Sequence, residues 1–144
     1  MKRIILYTDG ACSMNPGPGG WAAILRYGSN EKMISGGEAE TTNNRMELTA
    51  VLEGLKALKE PCTVDLYSDS QYIVNAITAG WLRDWKKRGW KRRDGELKNA
   101  ELWQELDGLL TEHFVTAHWV KGHEDNEWNN RCDEQAVKER EKFE

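Results

Sequence analysis

Four acids in this chain, Asp9, Glu47, Asp69 and Asp133, could do chemistry as a set. Asp9 and Asp69 follow two short runs rich in β-branched and aromatic residues. Glu47 opens an apolar-periodic stretch, and Asp133 lies in the charged C-terminal segment. Carboxylates brought together in a low-dielectric crevice repel one another, and hard divalent cations relieve that repulsion. An oxygen-only donor set suits Mg²⁺ or Mn²⁺ rather than Zn²⁺. Two such ions about 4 Å apart can hold a phosphodiester, activate a water and stabilise the leaving oxygen.

Each acid also has an ordinary explanation. Asp9-Gly10 is a turn dipeptide. Asn44 and Glu47 have the spacing of a capping-box variant. Asp69 could cap a helix starting near Ser70, and Asp133 could be a solvated helix acid. Among 24 acids, four at element ends is no surprise, and the functional reading gains only from the set.

The second chemical signal is WLRDWKKRGWKRRDG, residues 81–95. Seven Lys or Arg against two Asp give it a charge of +5 in a chain of −4, so the remainder carries −9. Three Trp are interleaved with the cations. Such a flank suits a polyanionic backbone, and an acidic centre beside it could cut one.

A chain of 144 residues is expected to form one domain, residues 1–144, with core enough to fold without disulfides. No run of about 20 apolar residues is present, and the apolar stretch after the N-terminal Lys-Arg is too short for a secretory signal. Cys12, Cys62 and Cys132 are odd in number and widely spaced, which suits a reducing compartment. The expectation is a cytoplasmic monomer with no membrane attachment and no evident protein partner.

The elements that position these residues follow from periodicity. Residues 4–9, 21–28 and 32–38 read as strands, with NPGPGG (15–20) a loop and Ser29–Glu31 the link of a hairpin. Leu48, Val51, Leu52, Leu55 and Leu58 mark one helix face, closed by Pro61. A strand at 63–68 and a short helix at 70–78 precede the basic stretch. Leu102, Leu106, Leu109 and Leu110 mark another helix, then come a strand at 115–120 and a helix over 126–143. Hairpins followed by alternating strands and helices imply an α/β fold with a mixed sheet.

The segments YTDGACSMNPGPGG (7–20), TTNNRMEL (41–48), YSDSQYI (67–73), WLRDWKKRGWK (81–91) and VKGHEDNEWNNRCDEQA (120–136) are long and independent. In this order and spacing the chain resembles the bacterial type 1 ribonuclease H family, over about residues 3–140. The resemblance implies a five-stranded mixed sheet, order 3-2-1-4-5, flanked by helices, with a basic protrusion or handle at about 81–95. It implies an endonuclease that hydrolyses the RNA strand of an RNA–DNA hybrid. Mg²⁺ is the expected cofactor, Mn²⁺ an alternative, with two ions bound alongside substrate and 5′-phosphate and 3′-hydroxyl ends left behind.

By the same resemblance Asp9, Glu47, Asp69 and Asp133 become catalytic metal ligands. His123, in the KGH segment, assists turnover. Cys12, Asn15, Asn44 and Gln71 face the minor groove near the RNA, with Asn43 close to both strands. Thr42 and Asn99 grip a DNA phosphate, Trp81 and Trp85 lie along the DNA backbone, and Lys86, Lys87 and Arg88 supply charge with Lys91, Arg92 and Arg93. Capping or turn chemistry stays open for Asn15, Asn44 and Asn99, and core packing for the Trp pair. For Trp90 and Trp103 packing is preferred.

Three positions depart from the family pattern. Glu40 precedes TTNN where a basic residue is common, so a weaker phosphate pocket is expected unless Lys98 or Arg26 compensates. Asp125 replaces a common Gly, and Asn130 a usual Glu. None touches the four carboxylates. A binding module with a dead centre would lack one of them, and junction resolvases or transposase cores would lack the handle.

Overall fold

The computed structural model describes residues 1–121 and 126–144. Strands β1 (Lys2–Cys12), β2 (Gly17–Tyr27) and β3 (Asn30–Thr41) form an antiparallel meander. Then come α1 (Asn43–Lys56), β4 (Cys62–Ser68), α2 (Gln71–Thr78) and α3 (Trp81–Lys87). Two-residue strands β5 (Lys91–Arg92) and β6 (Gly95–Glu96) make a small separate hairpin. Helix α4 (Ala100–Glu112), β7 (Phe114–Trp119) and α5 (Glu127–Glu141) complete the chain.

The main sheet has the order β3-β2-β1-β4-β7, with β1, β4 and β7 parallel. Because β7 is the fifth long strand, this is the expected order 3-2-1-4-5. The β5–β6 hairpin was not legible from periodicity, since two residues cannot show alternation.

Two apolar layers hold the sheet. On one face Leu6, Val64 and Leu66 meet Leu48, Val51, Leu52 and Leu55 of α1 and Trp103 and Leu106 of α4. Each buried Leu contributes roughly 1.5–3 kcal/mol from area removed from water. On the other face Tyr7, Ala22 and Ile24 meet Cys132 and Ala136 of α5. The four carboxylates are thus carried by three layers: the sheet, α1 and α5.

Several boundaries differ from expectation. The strand β1 runs through Asp9-Gly10 to Cys12, so that dipeptide is no turn. Strand β2 begins at Gly17, inside the segment read as a loop. A side chain at Gly20 would run into the carbonyl of Ala136 and lie 2.5 Å from Arg140 N, so the glycine is there to let α5 close on the strand. The β2–β3 turn is Gly28–Ser29, with Gly28 at φ 59° supplying the left-handed conformation. Helix α1 ends at Lys56, capped by Ala57, several residues before Pro61.

Candidate active site

The crevice originates in the sheet. Strands β1 and β4 pair in parallel as far as Tyr7↔Tyr67. Beyond that rung β1 pairs only with β2, and the two strands part. Asp9 and Asp69 each stand two residues past it, at the carboxyl ends where ligands gather in such sheets. The indole N–H of Trp119 donates to the Asp69 carbonyl at 3.1 Å, bracing that backbone.

Glu47 arrives from α1. Gly10 makes room, because a Cβ there would lie 2.5 Å from Glu47 N and 2.7 Å from Met46 C. The N-cap of α1 is Thr42, whose hydroxyl oxygen accepts from Arg45 N at 3.2 Å. The capping-box pairing of Asn44 and Glu47 is therefore not formed. Likewise Ser70, not Asp69, caps α2, accepting from Ile73 N at 3.2 Å. Asn126 caps α5 in the same way through Asn129 N at 3.1 Å.

Asp9, Glu47 and Asp69 each offer a carboxylate oxygen within 4.8 Å of the others. Asp133, on α5, lines the same 270 Å³ cleft but lies outside that close group. Asn43, Ser70 and Asn126 also line it, so α1, α2 and α5 all begin at this cleft. Their positive N-terminal ends offset part of the acid charge. Asn129 lines it too. Nothing in the sequence singled out Ser70, Asn126 or Asn129; the first two carry only the residue type of a helix cap, and Asn129 carries no signal.

Burial and crowding raise both inner carboxyls. Asp9 is pushed up to about 7, first by desolvation and then by the charges of Asp69 and Asp133, against the hydrogen bonds from Glu47 and Gly10 N. Glu47 is raised well above its ordinary value, by desolvation and then by Asp9 and Asp69. Its Oε2 is buried and finds no donor among the described residues. An oxygen-only, mutually repelling set with an orphaned buried oxygen fits a hard divalent cation.

A second cleft, of 930 Å³, adjoins this one. Asn15, Thr42, Asn43, Asn44 and Asn99 line it, with Trp81 and Trp85 on its wall. Both Trp also pack inward: Trp85 lies 5.1 Å from the ring of Trp103, and Trp81 lies 6.3 Å from that of Tyr72. This pair therefore both packs on the core and lines the cleft. Trp103 is fully buried and Trp90 packs on the same core. Asn99 occupies the N-cap position of α4, but its side chain makes no cap bond.

The remaining sequence-predicted residues are placed less centrally. Cys12 and Gln71 line neither cleft. The Cys12 thiol is turned to the Thr41 carbonyl at 3.4 Å, and Gln71 opens α2 exposed to solvent. Lys86 pairs with Asp107 at 3.1 Å, while Lys87 and Arg88 are exposed. Glu40 is exposed at the end of β3, and Lys98 lines the second cleft. Arg26 does not compensate for Glu40, because it lies over the Trp128 ring at 4.2 Å. His123 and Asp125 lie outside the described residues.

Known proteins agree with this architecture. The RNase H family model matches residues 1–141. Ribonuclease H of Acetivibrio thermocellus is 59% identical over 140 residues, covering 96% of this chain and 95% of its own. Ribonuclease H of Thermus thermophilus is 57% identical over 136 residues, covering 94% and 82%. Among solved structures, LC9-RNase H1, a type 1 RNase H with the type 2 active-site motif, superposes with a TM-score of 0.89 at 30% identity, covering 99% of this chain and 74% of that one. LC11-RNase H1, solved in complex with an RNA/DNA hybrid, shares the fold at a TM-score of 0.74 and 24% identity, covering 96% and 97%. With a family model spanning nearly the whole chain and relatives at this identity, the chain is a nuclease and belongs to the ribonuclease H family.

Proposed function

We propose that this enzyme hydrolyses the RNA strand of RNA–DNA hybrids at the acidic cleft. Asp9, Glu47, Asp69 and Asp133 hold two Mg²⁺ ions, and the products end in 5′-phosphate and 3′-hydroxyl. The observation that carries the reading is the close trio of Asp9, Glu47 and Asp69 at the parting of β1 and β4. It faces a cleft continuous with polar and aromatic residues suited to a duplex. The hybrid held by LC11-RNase H1 supports the substrate class.

Burial of Asp9 on β1 and Glu47 on α1 fixes these two carboxylates before substrate arrives, with Asp69 half-buried just past β4. Bound divalent ions supply Lewis-acid activation of the scissile phosphate and of water. Asn15, Asn43 and Asn44, with Cys12 and Gln71, meet the minor groove, where a 2′-hydroxyl distinguishes RNA from DNA. Thr42 and Asn99 hold a phosphate of the DNA strand. Trp81 and Trp85 bear on its sugars, and Lys86, Lys87 and Arg88 bind backbone without reading sequence. His123 moves a proton or aids release, an imidazole being suited to either near neutral pH. The enzyme acts as a cytoplasmic monomer; among the described residues no helix is long and apolar enough to cross a membrane.

The test is cleavage of matched end-labelled RNA–DNA, RNA–RNA and DNA–DNA duplexes with Mg²⁺ and with chelator. Cutting of the RNA in the hybrid alone, and only with metal, is expected. Cutting of DNA, or metal-independent cutting, would overturn the reading.

A further inference from the structure

The rim of the larger cleft has an unusual hydrogen-bond polarity. Thr42 Oγ1 accepts from Arg45 N at 3.2 Å. Asn15 Oδ1 accepts from Asn43 N at 2.7 Å. Asn99 Oδ1 accepts from Arg45 Nη1 at 3.2 Å. With each oxygen turned to a backbone or guanidinium donor, the hydroxyl proton and the two NH₂ groups are left to face the cleft.

Asn99 is the informative member. An Asn at an N-cap ordinarily turns its oxygen onto the helix N–H groups, a bond worth about 1 kcal/mol. Here it is left-handed, with φ 60° and ψ 30°, and makes no such bond. Arg45 takes the oxygen instead. Arginine carries only donors, so the amide can meet it only with Oδ1, which leaves Nδ2 for the cleft.

Arg45 is itself held. The same Nη1 lies 2.7 Å from Glu101 Oε1, and Nε lies 3.6 Å from Glu38 Oε2. The guanidinium thus faces two carboxylates, which offset its charge. An anion in the cleft therefore meets the oriented groups of Thr42, Asn15 and Asn99 beside the cations of Lys98 and Arg92, and not the Arg45 charge itself.

We propose that Arg45 is a positioning residue for phosphate recognition: it sets the Asn99 amide so that its NH₂ group is presented to the cleft. The inference rests on the reading of the cleft as the site of a DNA-strand phosphate. It makes this contact different in kind from the handle, because neutral donors bind a phosphate without releasing counterions.

The test is steady-state cleavage of an RNA–DNA hybrid, across a salt series, by the parent, Arg45→Ala, Arg45→Lys, Asn99→Ala and the Arg45→Ala/Asn99→Ala double variant. Arg45→Ala is expected to raise KM about tenfold with kcat within about twofold. The double variant should be no worse than Asn99→Ala alone, the non-additivity of residues acting as a unit. Arg45→Lys should recover most of the loss, since an ammonium can still donate to Oδ1. The salt slope of KM should be unchanged in Arg45→Ala, whereas a direct phosphate contact would lower it by about one. The ion pairs lost are partly exposed and contribute little to folding. Glu101→Gln, which loosens the hold on Arg45, should shift KM in the same direction and serves as a second variant.

Raised KM in Asn99→Ala with none in Arg45→Ala overturns the inference alone, as does additivity or a reduced salt slope. An Asn99→Ala enzyme with normal KM overturns the phosphate reading of the cleft as well. A parent that leaves hybrids uncut overturns the proposed function itself.

Discussion

Replacing Asp9 by Asn should stabilise the metal-free protein at neutral pH. Asp9 is 6% exposed, and its carboxyl is raised from 3.8 to about 7. The folded state therefore holds a proton that the unfolded chain releases, across the window between those two values. This favours folding fully below about pH 4, and the benefit is lost as pH rises through 7. Above that pH the folded chain carries a buried charge at a cost of up to about 4 kcal/mol. Asparagine keeps the shape without the charge. At about 2–4 °C per kcal/mol for a chain near this size, the variant should melt up to roughly 8–16 °C above the parent at pH 7.5 in chelator. The gap should close towards pH 4. Mg²⁺ should raise the melting temperature of the parent more than that of the variant. Thermal scans by circular dichroism at several pH values, with chelator and then with a Mg²⁺ titration, measure all of this. A variant no more stable than the parent at pH 7.5, or equally stabilised at pH 4, would refute the electrostatic reasoning.

The same substitution should lower cleavage of a hybrid by at least about a thousandfold while leaving binding largely intact, which single-turnover assays beside a binding titration would separate. Gly10→Ala should destabilise by about 1–3 kcal/mol and weaken cation binding, because the new methyl meets the backbone of Met46 and Glu47; a neutral result in denaturant titration would contradict the close approach. Changing Lys86, Lys87, Arg88, Lys91, Arg92 and Arg93 to Ser should weaken hybrid binding and lower its salt slope by roughly three to four rather than six, since Lys86 and Arg92 already face Asp107 and Asp94. An unchanged slope would remove the handle from the binding surface. Trp103→Ala should cost about 3–5 kcal/mol with KM unaltered in the folded fraction, whereas Trp85→Ala should change both; identical behaviour of the pair would leave Trp85 as packing alone.

The order of elements was legible because periodicities of two and of 3.6 residues alternate cleanly along the chain. The boundaries were less so, and for physical reasons. Gly17, Gly19 and Gly20 read as loop, yet their small size serves the approach of α5, α1 and the loop at 13, which no local window can display. Thr42, Asn43 and Asn44 are three plausible caps in a row, and the choice of Thr42 follows from where β3 delivers the chain. At the site, Asp9, Glu47 and Asp69 were named from the motifs, but their convergence depends on the parting of two parallel strands after one particular rung. Arg45 was invisible, because a single Arg in the first turn of a helix looks like solvated surface until Asn99 arrives from 54 residues away.

The cleft draws its acids from both sides of the sheet, with Glu47 on α1 and Asp133 on α5. Enzymatic turnover is therefore a reporter of completed assembly. A chain with β1, β4 and α1 in place but α5 undocked would retain the inner trio, much of its far-ultraviolet signal and most of the larger core, yet lack the fourth carboxylate and the wall formed by Asn126 and Asn129. In refolding experiments, recovery of cleavage should lag recovery of helicity whenever docking of α5 is the slow event, and coincide with it when the layers close together. Comparing the two time courses dates the closure of that layer without any label placed on the protein.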